Sequence, residues 1–273
     1  MSSPRLNRRR GSILVTLGVT LGALAGFSAR GTMPSSGTDQ SATNAFEEAV
    51  RFTVVVQVSN DEDICWSGSG FVVGDGRHVI TNAHVVPGNY GKPPYLTSRP
   101  PDPTCNQIEV GFIDTIRDEE PQWYDATLVE ARETLDLSLL KISKPPTDGF
   151  PAARLDFDEP DLGSPIRVLG YPDFALDLMV LTDGIIAGFE ERDYGYLHTI
   201  TAKIGHGNSG GPVLSRTGKV LGVLTLGTPQ TFFCQPDSEE QSQLLDCSVE
   251  RTSLGYAIPI KLAQPLLDLI EVK

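Results

Sequence analysis

Short runs of β-branched and aliphatic residues, separated by turn residues, recur along most of the chain. Residues 53–58 (TVVVQV) form one such run, and Gly74-Asp75-Gly76 is a typical separating turn. Short strands at this spacing are typical of β-barrels and β-sandwiches. The sequence therefore predicts an all-β fold, with strands at 53–58, 69–73, 78–83, 108–116, 124–132, 137–142, 166–170, 178–189, 196–202, 212–214, 219–226 and 254–258.

A segment rich in proline and aspartate, 143–165, divides these strands into two series. Because Pro-Pro, Asp-Gly and Glu-Pro favour turns and loops, we expect a linker between two halves here. From Pro259 to Lys273, leucine and isoleucine recur near helical spacing, which predicts a terminal helix packed on the second half. Residues 87–107 and 228–251 interrupt the strands and are predicted to be surface loops.

The first 29 residues have the pattern of a targeting segment. Four arginines at 5–10 precede an uncharged stretch of 19 residues, 11–29. That length lies between a signal-peptide core and a spanning helix, so residues 1–29 are predicted to be a signal peptide or an N-terminal membrane anchor. Residues 30–44 predict a flexible linker, and 45–51 a short helical turn. We expect an extracytoplasmic protein, periplasmic or secreted, with a membrane tether through 11–29 left open.

Charge and cysteine content disfavour nucleic acid and metal ions as partners and suggest disulfide bonds. The net charge is −13 although residues 1–30 hold five arginines and no acid, and such a surface repels nucleic acid. The four cysteines form no CxxC pair and no zinc-ligand spacing with histidine, so we expect no metal site. In an exported protein we expect the disulfides Cys65–Cys105 and Cys234–Cys247, with free buried thiols as the alternative.

Ser209 lies in a glycine-rich segment, Gly205-His206-Gly207-Asn208-Ser209-Gly210-Gly211. A nucleophilic serine needs an exposed hydroxyl, room for a carbonyl substrate and backbone N–H groups that point at the developing oxyanion. Glycines on both sides permit the tight turn that this geometry requires. The segment therefore makes Ser209 a candidate nucleophile; an ordinary glycine-rich hairpin loop is the alternative.

His84 and Asp136 are the candidate partners of this serine. His84 follows a β-branched strand and Asn82-Ala83, where it would accept the serine proton as general base. Asp136 precedes an apolar strand, and a buried carboxylate there needs a partner such as a histidine N–H. A structural histidine and a turn aspartate are the alternatives when each residue is taken alone.

Four motifs contain or neighbour these residues: GSGFVV at 68–73, TNAHVV at 81–86, DLSLLKI at 136–142 and GNSGGPV at 207–213. Together with GYAIP at 255–259 they resemble the HtrA/Deg branch of the trypsin-like serine proteases, over about residues 45–262. The order His, Asp, Ser is also one of the known orders of a catalytic triad.

The resemblance implies two antiparallel six-stranded β-barrels, with residues 45–150 in the first and 151–273 in the second, together with the terminal helix. It implies a serine endopeptidase that hydrolyses peptide bonds in exposed or unfolded protein segments through an acyl-enzyme intermediate, without metal or cofactor. The N–H groups of Gly207 and Ser209 would form the oxyanion hole. The family often trimerises, so a homo-oligomer is left open.

The chain departs from the family pattern in two places. We expect no PDZ domain, although many family members carry one after the protease. Gly205-His206 replaces the Asn-Pro that usually precedes Gly-Asn-Ser. Because glycine broadens the accessible backbone states, the loop 204–208 is predicted to sample an inactive form with the His206–Gly207 peptide turned away.

Substrate preference is predicted from the resemblance alone. The pocket for the residue before the cut bond would be lined by Lys203, Ile204, Thr225, Leu226, Gly227, Tyr256 and Ala257. Lys203 stands where trypsin has the aspartate that selects basic residues. We expect a small or medium aliphatic residue in this pocket. Two alternatives remain for Lys203: it points away on its strand, or it favours an acidic substrate residue.

Two other functions compete with a protease. A catalytically silent or chaperone-like binding protein could share the fold, although a complete set of His, Asp and Ser speaks against it. An α/β-hydrolase esterase needs a serine between a strand and a helix and the order Ser, Asp, His. In this chain Ser209 runs into a predicted strand and the order differs, which disfavours the esterase.

Overall fold

Antiparallel β-strands make up most of the protein as seen in a computed structural model. The structure describes residues 37–87, 103–118, 120–172, 175, 178–193, 195–227, 231–235, 246–250 and 254–270; for 37–43, 226–227, 231–235 and 246–250 it describes the backbone alone. The predicted signal peptide or anchor, 1–29, lies outside these residues. Among the helices described, none combines the length and apolar character needed to cross a membrane.

The first six strands close into a barrel in the order β1-β2-β3-β6-β5-β4. Valines at alternate positions of β1 are fully buried, as expected of a strand that packs one face into a barrel core. The strands are β1 (Thr53–Ser59), β2 (Ile64–Val73), β3 (His78–Thr81), β4 (Gln107–Phe112), β5 (Gln122–Arg132) and β6 (Leu137–Ile142).

The second barrel closes in the order β10-β11-β14-β9-β8-β7, and every adjacent pair is antiparallel. Its closure confirms the predicted fold of two six-stranded barrels. The barrel strands are β7 (Pro165–Gly170), β8 (Val180–Arg192), β9 (Gly195–Ile200), β10 (Pro212–Ser215), β11 (Val220–Gly227) and β14 (Gly255–Pro259). Two further strands, β12 (Thr231–Gln235) and β13 (Asp246–Glu250), lie outside the barrel.

Helix α1, Gly37–Phe52, precedes the first barrel. It begins inside the segment 30–44 that the sequence predicted to be a flexible linker, and it extends well beyond the predicted helical turn at 45–51. Its last turn packs Ala49, Val50 and Phe52 into the core. Burial of this apolar face against the barrel stabilises a helix whose serine- and threonine-rich first half has weak helical propensity.

A short helix follows the last strand, as predicted. A 3₁₀ turn, Ile260–Ala263, leads into α2, Gln264–Leu267, and α2 contacts β6 of the first barrel. Ile270 lies against Gly74 in the turn between β2 and β3, where an added methyl group would be 3.0 Å from its side chain. The 3₁₀ turn contacts β11 and β14 of the second barrel, as predicted for this segment, whereas α2 lies on the first barrel. The terminal segment thus ties the two barrels together.

The segment after β11 contains a separate two-stranded sheet of β12 and β13. The sequence predicted a surface loop over 228–251, so this hairpin is an element that the strand pattern missed. The backbone register places Cys234 opposite Cys247. Opposite residues of an antiparallel pair are close enough for a disulfide, and the Cys234–Cys247 bond stays a prediction because these side chains lie outside the description.

The disulfide Cys65–Cys105 is present, which confirms the predicted pairing. It joins β2 to the segment just before β4, across a sequence separation of 40 residues. Most of the predicted surface loop 87–107 lies outside the described residues. The bond fastens the end of this segment, at Cys105, to the start of β2 in the first barrel.

Removing this disulfide should destabilise the protein without removing activity. In the chain-entropy description a loop of this length contributes about 4 kcal/mol to the free energy of unfolding. We expect Cys65→Ser combined with Cys105→Ser to lower the free energy of unfolding in urea by roughly 2–4 kcal/mol. Unchanged stability in the double variant, or free thiols at both positions in the isolated protein, would contradict this assignment.

A buried histidine links the second barrel to the connection between the halves. His198 of β9 is 1% exposed, and its Nε2 lies 2.7 Å from Glu159 Oε1. Glu159 also pairs with Lys261, just after β14. Burial lowers the pKa of His198 more than Glu159 raises it. Burial raises the pKa of Glu159, but its bonds to Lys261 and His198 outweigh this effect and lower it.

This histidine should make the fold acid-sensitive. Because the folded state lowers the pKa of His198, its stabilising contribution is present above the ordinary pKa of about 6.5 and is lost as the pH falls below it. We expect the urea midpoint to fall between pH 7.5 and pH 5.5, and to fall less in His198→Gln. His206→Gln, a change at an exposed histidine, is the matched control. Equal pH dependence in His198→Gln and wild type would rule out this origin.

Candidate active site

Asp136 occupies a strained backbone position between two elements. It ends a 3₁₀ turn, Glu133–Leu135, and precedes β6, with φ 54° and ψ 41° in the left-handed region. Residues with a side chain rarely adopt this conformation, and aspartate is one of the few that tolerate it. Its N–H donates to the Glu133 carbonyl at 3.1 Å, and its own carbonyl accepts from Asn82 Nδ2 at 2.9 Å. These two bonds hold the backbone of Asp136 in this conformation.

His84 lies beside that carboxylate. It sits in the 3₁₀ turn Ala83–Val85, just after β3 ends at Thr81. Its ring Nδ1 is 2.8 Å from Asp136 Oδ2 and 2.9 Å from Oδ1, and its backbone N–H donates to Oδ1 at 3.0 Å. With Nδ1–H donated to the carboxylate, Nε2 is left unprotonated, which is the tautomer that a general base requires.

The second barrel supplies the next donor to Asp136. Thr225 of β11 is buried, and its hydroxyl donates to Asp136 Oδ2 at 2.7 Å. The side chains of His84 and Asp136 are only 16% and 19% exposed, so the carboxylate needs these hydrogen bonds to offset lost hydration. The sequence placed Thr225 in the substrate pocket, whereas its hydroxyl is directed to the carboxylate.

Ser209 lies in a loop that the second barrel presents at the junction. Asn208 N–H donates to the Gly205 carbonyl at 3.2 Å, and Gly207 has φ 87°. A four-residue turn with a positive φ at its third residue alone is a type II turn, which explains why position 207 is a glycine. Beyond Ser209, Gly210 N–H donates to the Leu224 carbonyl at 2.8 Å and joins the loop to β11. The predicted exchange with an inactive form stays a prediction.

Close packing brings this loop to the histidine segment. A methyl group added to Gly68 of β2 would lie 2.7 Å from the Val85 side chain and 3.1 Å from the Ser209 carbonyl oxygen. Glycine at 68 therefore lets the side chain after His84 and the serine backbone both pack against the same side of β2. The histidine segment of the first barrel and the serine loop of the second thus meet at Gly68.

The predicted pocket residues divide into three groups. Lys203 is exposed and its carbonyl accepts from Thr182, while Ile204 and Tyr256 are half-buried. For Leu226 and Gly227 the structure describes only the backbone, at the end of β11. Ala257 is completely buried in the core of the second barrel and therefore has no surface for a substrate.

Asn82 was not among the predicted site residues, and Thr225 was predicted only as a residue of the substrate pocket. Asn82 and Thr225 both hold Asp136, one through its carbonyl and the other through its carboxylate. Asn82 lay within a motif that was noticed, but nothing in the motif indicated its role. In the described parts of the chain, no three His, Cys, Asp or Glu side chains are arranged to bind a metal ion.

Two closed six-stranded barrels with a His–Asp pair and a glycine-flanked serine at their junction define the trypsin-like class of proteins. The family model "Trypsin-like peptidase domain" matches residues 68–223. The chain therefore belongs to the trypsin-like peptidase family.

Its relatives include HtrA and DegS serine proteases. Serine protease HTRA4 of Mus musculus is 32% identical over 211 residues, which cover 73% of this chain and 38% of the relative. Serine endoprotease DegS of Salmonella typhimurium is 26% identical over 215 residues, or 77% of this chain and 49% of the relative. The chain thus spans about two fifths to one half of these relatives.

Solved structures share the fold. A serine endoprotease from Yersinia pestis superposes with a TM-score of 0.59 at 23% identity, over 86% of this chain and 66% of that one. An HtrA-type protease determined with a tripeptide superposes with the same score at 22% identity, over 84% of this chain and 63% of that one.

The bond from Thr225 should contribute measurably to turnover if Asp136 orients His84. Replacing the hydroxyl by a methyl in Thr225→Val removes one hydrogen bond to a charged group, worth about 1.5–3 kcal/mol. We expect kcat to fall roughly 10-fold, since the donors from His84 remain, whereas Asp136→Asn should cost about 10⁴, as the same change does in trypsin. Turnover of Thr225→Val within twofold of wild type would show that this bond has no part in orienting the site.

Proposed function

We propose that this protein is a serine endopeptidase that cuts peptide bonds with His84, Asp136 and Ser209. The observation that carries the proposal is the bonded pair of His84 and Asp136, 2.8 Å apart, beside the loop of Ser209. Membership in the trypsin-like peptidase family and similarity to proteins named serine proteases support the same conclusion.

The chemistry follows from the positions of the donors. Nδ1–H of His84 is donated to Asp136, so Nε2 accepts the proton of Ser209 as its hydroxyl attacks the substrate carbonyl. The negative charge on the carbonyl oxygen is stabilised by the N–H groups of Gly207 and Ser209. The histidine then gives its proton to the leaving amine, and water hydrolyses the acyl-enzyme by the same steps in reverse. No step needs a metal or a cofactor.

The substrates that we propose are extended protein segments, exposed or unfolded. Lys203 and His206, which precede Ser209 in the chain, are exposed to solvent, which is consistent with access for an extended chain. Half-buried Ile204 and Tyr256 offer apolar surface beside it, which suits a small or medium aliphatic side chain before the cut bond. Whether the exposed Lys203 selects an acidic residue instead is decided by comparing tripeptide reporters with Val, Glu and Lys at that position.

We propose that the protein functions outside the cytoplasm. Disulfides persist in oxidising compartments and are rare in the cytosol, and Cys65–Cys105 is formed. The arginine-rich start followed by an uncharged stretch is consistent with export, either as a cleaved signal or as a tether. Assembly into a homo-oligomer is compatible with this proposal and does not affect the chemistry of one chain.

The decisive experiment compares wild type with Ser209→Ala on unfolded casein and with a labelled fluorophosphonate probe. Loss of the nucleophile should lower turnover by about 10⁶, the size found for the catalytic serine of subtilisin, and abolish labelling. Because the substitution removes only a hydroxyl, the thermal midpoint should stay within a few degrees of wild type.

Cleavage of casein by Ser209→Ala at the wild-type rate would overturn the assignment of the nucleophile. Wild type that neither labels nor cleaves, yet suppresses aggregation of unfolded casein, would instead identify a silent binding protein on this fold. Ser215→Ala, a change at a serine at the end of β10, is a control that should leave both labelling and cleavage unchanged.

A further inference from the structure

Ser69, in the middle of β2, contacts the nucleophile loop from the opposite barrel. It is completely buried, and it lies in the Gly68-Ser69-Gly70 motif, for which the catalytic steps above give no role. Its hydroxyl donates to the Gly207 carbonyl at 2.6 Å, and its backbone N–H donates to the Ser209 carbonyl at 2.7 Å. One residue of the first barrel therefore binds two carbonyls of a loop that belongs to the second.

The direction of the Ser69 hydroxyl is determined by its partners. Tyr171 N–H donates to Ser69 Oγ at 3.0 Å, and a backbone N–H can only donate. The Gly207 carbonyl can only accept, so the hydroxyl proton must lie between Ser69 Oγ and that oxygen. Thr81 Oγ1 donates to the Ser69 carbonyl at 2.7 Å and fixes the residue from behind. Every polar group of Ser69 is thus engaged.

The two bound carbonyls belong to the two residues proposed as oxyanion donors. The Gly207 carbonyl and the Asn208 N–H belong to one peptide group, and the bonds to the Ser69 hydroxyl and to the Gly205 carbonyl hold that group at both ends. In Ser209, the carbonyl bond to Ser69 restricts the peptide that follows the nucleophile. A residue's N–H group is separated from its own carbonyl by two rotatable torsions, φ and ψ, so each bound carbonyl anchors one end of a donor residue and restrains its N–H group without fixing it.

The packing around Ser69 leaves no room for a side chain at positions 170 and 210. A methyl group at Gly170 would lie 2.8 Å from Ser69 Oγ and 2.7 Å from Asn208 Oδ1. A methyl group at Gly210 would lie 2.2 Å from the Ser69 carbonyl oxygen, and Gly210 also has φ 87°. The loop is therefore seated on Ser69 at van der Waals contact, so a change in the hydroxyl is transmitted directly to the loop.

We propose that Ser69 is a positioning residue that restrains the two residues whose N–H groups form the proposed oxyanion hole. The inference rests on the proposed function, because it needs Gly207 and Ser209 to stabilise an oxyanion. It assigns to the hydroxyl an effect on the transition state and not on substrate binding, since the ground-state carbonyl depends little on these donors.

The test measures kcat, KM and inhibition by a peptidyl boronic acid, which forms a tetrahedral adduct with a nucleophilic serine. In Ser69→Ala we expect kcat to fall about 10- to 100-fold, below the 10²–10³ lost with an entire donor. KM for a peptide reporter should change less than twofold, and affinity for the boronic acid should fall by the same factor as kcat/KM. Ser69→Cys, which keeps a weak donor of similar size, should fall between Ser69→Ala and wild type.

Ser138→Ala is the matched control. Ser138 of β6 is also completely buried in the first barrel, but its hydroxyl has no hydrogen-bond partner among the described residues. We expect its kcat, KM and boronic-acid affinity to equal those of wild type. Labelling by fluorophosphonate in all three variants shows that they are folded and that Ser209 is present.

Different results overturn the two proposals separately. If wild type cleaves the reporter and either Ser69 variant keeps wild-type kcat and boronic-acid affinity, Ser69 has no positioning role although the protease assignment stands. A rise in KM that accounts for the whole loss in Ser69→Ala would equally reject it, because it would show a general distortion of the cleft. If Ser69→Ala does not fold, Ser69→Cys alone decides the question. Wild type without labelling or cleavage would overturn the proposed function together with this inference.

Discussion

The carboxylate of Asp136 is the constraint on which the geometry of the site depends. It is 19% exposed and accepts hydrogen bonds from His84 in the first barrel and from Thr225 in the second. A carboxylate that is largely removed from water is stable only when donors replace the lost hydration. The two barrels must therefore meet at a defined distance and angle. The hydrogen bonds that replace the lost water around the carboxylate also align the histidine.

This arrangement requires an unfavourable backbone conformation at Asp136. Asp136 adopts a left-handed conformation that costs about 1–2 kcal/mol for a residue with a side chain. Asn82 and Glu133 bind its backbone on either side and keep it there. Strain of this size is tolerated where surrounding contacts determine the conformation, and it occurs preferentially at functional sites.

The serine side of the junction is organised by close approach and not by charge. Glycines at 68, 170 and 210 let backbone and side-chain atoms come nearer than a methyl group would allow. Through these gaps Ser69 of the first barrel binds the loop of Ser209, while Gly210 and Gly211 bind β11 of the second. Each half of the site is thus supported by both barrels, so that neither barrel alone would present it. The terminal segment, with Ile270 on Gly74, adds a third tie between them.

Sequence alone indicated the barrel strands, the order of the candidate triad and the Cys65–Cys105 pair, because runs of β-branched residues, a glycine-rich serine segment and an export signal are local features; it missed the hairpin of β12 and β13. It misjudged α1, whose polar first half resembles a linker, since a helix of weak propensity is decided by the surface on which its apolar end packs. It also did not indicate the contact of the terminal helix with the first barrel or the bond from Thr225 to Asp136. Those features depend on contacts between residues far apart in the chain: Thr225 lies 89 residues after the carboxylate that it binds. Periodicity and motifs indicate the secondary structure and the candidate chemistry of a segment, whereas the packing of the two barrels decides its tertiary contacts. Only that packing brought Asn82, Thr225 and Ser69 to the site.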